Sequence, residues 1–124
     1  RMTSDKIMSI AANALNGKKA LELNVLKISE LTVLTEYFVL ATATSATHVR
    51  ALADEVEEKL AEQGVKPDHI EGRSTGWIVI DFGSVIVHIF NREQRAFYDL
   101  DRMWADGEPV DLEKILTLSK EEEV

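Results

Sequence analysis

A chain of 124 residues, 45% hydrophobic and 29% charged, is long enough to bury one core and too apolar for wholesale disorder. Fourteen Lys and Arg stand against 22 Asp and Glu, a formal net charge of 14 − 22 = −8; this disfavours broad contact with nucleic acid or anionic membrane and suits a basic protein surface. The absence of cysteine excludes disulfide frameworks, thiolate metal sites and cysteine nucleophiles, and no apolar run reaches the roughly 18 residues of a membrane span or forms a secretory signal, so a cytoplasmic protein is expected.

Thr3 or Ser4 caps a first helix in which Ile7, Ile10, Ala11 and Ala14 recur at helical spacing, and Asn16-Gly17 is expected to supply its left-handed stop. Lys18 and Lys19 read as solvated loop lysines. A strand follows over Ala20 to Ile28, with Leu21, Leu23 and Val25 alternating against Glu22 and Asn24. After a Leu- and Thr-rich connection over Ser29 to Glu36, the run Tyr37-Phe38-Val39-Leu40-Ala41-Thr42 shows no alternation, as expected of a central strand buried on both faces. Val49, Leu52, Ala53, Val56 and Leu60 make the apolar stripe of a second helix. Gly64 ends that helix, Val65 folds back onto Leu60, and Pro67 prevents a restart.

A short strand around His69 to Arg73 leads into a hairpin, Trp77 to Asp81 and Val85 to Phe90 about Phe82-Gly83-Ser84. Asn91, with Gln94 three residues on as in a capping box, opens a helix carrying Phe97, Leu100 and Trp104 on one face; Asp106-Gly107 and Pro109 stop it. Asp111 to Val124 is a short amphipathic segment whose residues 116–124 form an acidic tail expected to fray. The order α-β-β-α-β-β-β-α predicts one α/β domain over residues 1–124, a mixed sheet of about five strands with helices packed on it.

Chemistry-bearing motifs are few. Asp81-Phe82-Gly83 matches the magnesium-binding triplet of protein kinases by letter, but no glycine-rich loop or catalytic loop accompanies it, so Gly83 is read as a turn glycine. Thr42 to Thr47 is a hydroxyl-rich strand-to-helix turn without the glycines and lysine of a phosphate loop, which leaves Ser45 or Thr47 as a plain N-cap. His48, His69 and His88 have no metal-ligand spacing; His88, in a strand, is expected to bond to Asp81 or Glu71. Glu71 and Asp81 lie on neighbouring strands and could pair their carboxylates, but no nucleophile, base or phosphate cradle lies near them. No catalytic residue, metal or cofactor is expected.

Six of the eight aromatic residues fall between Glu71 and Trp104, more than one helix-on-sheet contact needs if Phe90, Phe97 and Leu100 supply the packing. Trp77, Tyr98 and Trp104 are therefore read as apolar anchors of a partner-binding patch, with Glu71, Asp81, Asp99 and Asp101 giving charge complementary to a basic partner.

Taken together, Thr35-Glu36 before Tyr37 to Thr42, then Ser45 and His48-Val49, then Glu71-Gly72, Trp77, Val79, Asp81, Gly83, Val85 to Phe90 and Phe97-Tyr98-Asp99-Leu100-Asp101-Arg102 with Trp104 make a pattern. Over roughly residues 3 to 118 it resembles the ribosomal silencing factor (Iojap) family. Two departures stand out: Ser84 where the family usually carries an acidic residue, and a segment before Trp77 about one residue shorter. The resemblance implies a nucleotidyltransferase-like fold without the catalytic signature; Gly83-Ser84 sits in a hairpin turn with no suitably spaced Asp-x-Asp after it. It also implies a translational repressor that binds the large ribosomal subunit through its L-fourteen protein and sterically blocks joining of the small subunit. A homodimer when free, little direct nucleic-acid contact and no membrane association go with that role. The alternative class is an enzyme, a nucleotidyltransferase-like or nucleotide-binding domain using Thr42 to Thr47 with Glu71 and Asp81.

Overall fold

The computed structural model describes residues 2–28, 35–98 and 107–116, with the backbone alone at Tyr98. Its elements are α1 (Ser4–Gly17), β1 (Leu21–Lys27), β2 (Tyr37–Ala43), α2 (Ala46–Ala61), β3 (His69–Glu71), β4 (Trp77–Asp81), β5 (Val85–Asn91), α3 (Arg92–Tyr98), β6 (Glu108–Pro109) and α4 (Leu112–Ile115). The strands form one six-stranded sheet in the order β3-β4-β5-β2-β1-β6. β2 and β5 pair in parallel and every other pair is antiparallel, so the sheet is mixed. The sixth strand, β6, was not expected: its two residues, one of them proline, carry no strand signature and hold only to Leu26 and Lys27 at the sheet edge.

β2 lies at the centre with all seven residues buried, as its unbroken apolar run predicts. Its two faces feed two cores. On one, Tyr37, Val39, Ala41 and Ala43 meet Val25, Ile78, Ile80, Val87 and Ile89 beneath α1 and α2. The α2 stripe of Val49, Leu52, Ala53, Val56 and Leu60 is wholly buried there, each residue no more than 2% exposed. Tyr37 keeps its hydroxyl in this layer by donating to Asp5 at 2.7 Å; burial first, and then the carboxylate it bonds to, push the phenol up to about 12. On the other face a smaller core of Ile28, Phe38, Leu40 and Phe90 forms, with Leu26, Trp77 and Ile86 packed against it.

The helix ends follow local chemistry, with one exception. Thr3 caps α1 by accepting from the Lys6 amide, and Ser45 caps α2 by accepting from the His48 amide. Gly64, at φ 76°, ends α2, and the Val65 amide donates to the Leu60 carbonyl at 2.9 Å, the six-to-one bond of a Schellman turn. The exception is α1. Its left-handed residue is Lys19, at φ 63°, and not Gly17, which remains helical. The Ala20 amide closes the same six-to-one bond to the Leu15 carbonyl two residues later than the Asn16-Gly17 pair predicts. His48 ties this turn to α2: its Nδ1 accepts from the Thr44 amide at 2.9 Å, so its Nε2 donates to the Lys18 carbonyl at 2.8 Å.

Candidate protein-interaction face

Trp77 is placed from both sides by backbone that few residues other than glycine could supply. Gly72, at φ 84°, turns the chain out of β3; the Thr75 amide donates to the Gly72 carbonyl at 2.9 Å, and the Thr75 hydroxyl, with its single proton, stands 2.9 Å from both the Gly72 and the Trp77 carbonyl oxygens. The same hydroxyl accepts from the Trp77 amide at 3.2 Å, knotting the loop immediately before the tryptophan. At Gly76 the constraint is close approach, since an added methyl would strike the Asn91 side chain. Asn91 locks this point twice: its amide donates to the Gly76 carbonyl at 2.7 Å, and its side-chain oxygen accepts from the Gln94 amide at 2.7 Å as the cap of α3. The Asn91 amide is thus spent on the Gly76 carbonyl and is not left to the Gln94 side chain as a capping box would have it. Asn91→Ala is expected to lower stability by about 1 kcal/mol, the usual worth of such a cap, read as a shift of the urea midpoint at constant m-value.

The register of the β4–β5 hairpin sets what Trp77 meets. Trp77 stands opposite Phe90 and diagonal to His88, which itself faces Val79. Its ring stacks on Phe90 with centroids 5.0 Å apart, and its indole Nε1 donates to His88 Nδ1 at 3.2 Å. His88 is only 7% exposed, and Phe38 meets its ring edge-on at 4.9 Å. Burial, with Arg95 adding a like charge, pushes the imidazole down to about 4. Arg95 comes from α3, itself 7% exposed, and donates to the Thr42 hydroxyl at 3.0 Å with its guanidinium over the Phe90 ring.

Along the outer edge of the same sheet lies a charged strip. β3 pairs His69 with Asp81 and Glu71 with Val79. His69 Nε2 sits between the two carboxylates, 3.4 Å from Glu71 and 3.8 Å from Asp81. Asp81 also accepts from the Gly83 amide at 2.7 Å, which fixes the hairpin turn whose Gly83 takes φ 85°. Next to it, Arg73 reaches from the loop after β3 to Glu57 of α2 at 2.6 Å.

Several expected roles change in this geometry. Glu71 and Asp81 are on one face, but a histidine separates them, so they are not a free carboxylate pair. His88 bonds to neither: Glu71 is two strands away, and Asp81 pairs with Ile86. Phe97 does not pack on the sheet; it is 78% exposed, because Arg95 is the α3 residue turned inward and Phe97 falls off that line. The three histidines occupy three separate places, and among the described residues no cluster of three or more His, Asp or Glu is arranged to hold a metal. In the Thr42 to Thr47 turn, Thr42 is committed to Arg95 and Ser45 to the His48 amide. The side chain of Tyr98 and the whole of Asp99, Leu100, Asp101 and Trp104 lie outside the described residues, as do residues 117–124 of the expected tail. The described helices include none long and apolar enough to cross a membrane.

His69, Arg95 and the Trp77–His88 bond were missed from sequence, although the signal for the last was present. Pairing Asp81 with Ile86 across the turn and counting outward puts Trp77 diagonal to His88.

Comparison with known proteins agrees with this architecture. The family model described as "Ribosomal silencing factor during starvation" matches residues 1–124. A Ribosomal silencing factor RsfS of Halalkalibacterium halodurans is 31% identical over 94% of this chain and 100% of its own length. The chloroplastic protein Iojap of Zea mays is 32% identical over 82% of this chain and 44% of its own length. A crystal structure of a Chromobacterium violaceum protein superimposes with a TM-score of 0.81 at 35% identity, covering 84% of this chain and 88% of that one. With the match running the full length of the sequence, the chain belongs to the ribosomal silencing factor family.

Proposed function

We propose that the protein is a translational regulator that docks on the large ribosomal subunit, through its L-fourteen protein, and keeps the small subunit from joining. The observation that carries the reading is the family match over residues 1–124. The physical character of the chain supports it. Exclusion needs affinity and bulk and no reaction, and an interface on the order of 1,000 Å² is enough for specific binding. A net charge of −8 repels ribosomal RNA and favours a basic ribosomal protein set within it, because wrong poses meet phosphate. The face bearing Trp77, Glu71 and Asp81 is the proposed contact, Tyr98, Asp99, Asp101 and Trp104 are proposed to bind the same partner, and self-association of the free protein through the same apolar surface is part of the proposal.

Co-sedimentation tests it. Large subunits are expected to carry the protein down, whereas small subunits and joined ribosomes are not. Equal recovery with all three, or none with large subunits, overturns the reading. Trp77→Ala is expected to weaken large-subunit binding by about 2 kcal/mol, the usual cost at a tryptophan anchor. Glu71→Ala, a rim charge, should instead change mainly the association rate and its salt dependence.

A further inference from the structure

We propose that His88 is a positioning residue for Trp77: by taking the indole N–H on its Nδ1 it fixes the ring so that a partner meets only carbon, and the recess that receives Trp77 is therefore apolar. This rests on the docking reading above. An indole has a single polar atom, and here that atom is turned inward to His88 at 3.2 Å. Trp77 is half-buried, and apart from Nε1 its ring has only hydrocarbon to offer a partner.

The cost of the arrangement marks it as more than packing. For Nδ1 to accept, its proton must sit on Nε2, and Nε2 is buried without a hydrogen-bond partner among the described residues. A buried donor left unsatisfied disfavours the fold, and a hydrophobic side chain of similar volume would avoid the penalty entirely. Strand β5 has no need of a polar residue at this point: the opposing residues in register are Val79 and Leu40. What a hydrophobic residue could not do is hold the Trp77 ring by its nitrogen while Phe90 stacks beneath it. The histidine stays neutral at physiological pH, because burial and Arg95 both oppose its protonation, so the accepting lone pair is always present.

The two requirements can be separated with His88→Leu and His88→Asn. Leucine removes both the acceptor and the orphaned donor. Asparagine keeps an oxygen where Nδ1 stands. Trp77 is read directly from its indole ¹H–¹⁵N resonance, assigned against Trp104→Phe, and binding is read by co-sedimentation with large subunits. In H88L the indole resonance is expected to move towards the solvent-exposed position, binding to weaken about tenfold or more, and the urea midpoint to stay level or rise. In H88N resonance and binding should stay within about threefold of the parent. Equal binding by parent, H88L and H88N overturns the inference, as does an indole resonance unmoved in H88L. Failure of the parent itself to bind large subunits overturns the docking reading instead, and the two failures are distinct. A purely structural role predicts the opposite pattern, with H88L losing stability and binding together.

Discussion

Replacing Gly72 with alanine is expected to destabilise the fold by about 3 kcal/mol and to disorganise the approach to Trp77. Two penalties add. The backbone at Gly72 stands at φ 84°, a left-handed region that costs an L-residue with a Cβ about 1–2 kcal/mol. A methyl there would also strike the Trp77 carbonyl oxygen, a backbone atom that cannot swing aside as a side chain can. That oxygen is one of the two carbonyl acceptors, each 2.9 Å away, that share the Thr75 hydroxyl proton, so its displacement loosens the knot that closes the loop, worth a further ~1 kcal/mol. Gly64→Ala separates the two terms. Gly64 has nearly the same dihedral, φ 76°, but nothing lies within 4 Å of an added methyl, so only the conformational penalty applies. Urea denaturation of both variants is the measurement. If Gly72→Ala costs no more than Gly64→Ala, the steric contribution is absent and the account of the loop is wrong.

How far the fold was legible depends on whether the deciding contact was local. The α2 stripe and the Gly64–Val65 turn are set by residues within one or two turns of one another, and both occur where their spacing puts them. β2 was legible for another reason: a seven-residue strand flanked on both sides and covered on both faces has no polar side to show. The misses are non-local. Lys19, not Gly17, takes the left-handed position, and there the Lys18 carbonyl is bonded by His48, a residue thirty positions away in the chain. β6 exists only because Lys27 and Leu26 offer an edge to Glu108 and Pro109. Phe97 looked like packing material because aromatics near a sheet are core more often than not, but the inward face of α3 was claimed by Arg95, whose partners Thr42 and Phe90 come from two different strands.

The candidate site divides along the same line. Its residue types were readable: an aromatic, two carboxylates and a turn glycine in a short hairpin. Their relations were not, because a histidine's partner depends on register and a carboxylate pair on what stands between. Period-two alternation puts His69 and Glu71 on one face, yet only the β3–β4 register brings Asp81 alongside and makes His69 the bridge.

The acid side of the stability curve should carry the signature of His88, amounting to about 3 kcal/mol between pH 6.5 and 4. In the unfolded chain this imidazole takes up its proton near the ordinary 6.5, whereas in the fold burial, and secondarily Arg95, hold it down to about 4. Across that interval the unfolded state binds a proton that the native state refuses, so stability falls as pH falls. Each unit of pH removes about 1.4 kcal/mol, and the loss stops below about 4, where both states are protonated, and above about 6.5, where neither is. The groups around the ring make the native side of this balance firm: Val79, Leu40, Phe38 and Phe90 offer no charge, Trp77 offers only a donor, and the charged neighbour among the described residues, Arg95, is a cation. Protonation would also turn Nδ1 into a donor facing the Trp77 donor, so the proton can enter only by breaking the bond that orients the indole. Because 22 acidic residues also contribute to the pH dependence of stability, the wild-type curve alone does not isolate the effect. The difference between parent and His88→Leu does. Urea midpoints measured from pH 7.5 to 4 should show the variant's relative stability rising by about 3 kcal/mol as the pH drops, with most of the change between 6.5 and 4. Parallel curves for the two proteins would mean that His88 is not held neutral by the fold, and the indole bond at Trp77 would lose its physical basis with it.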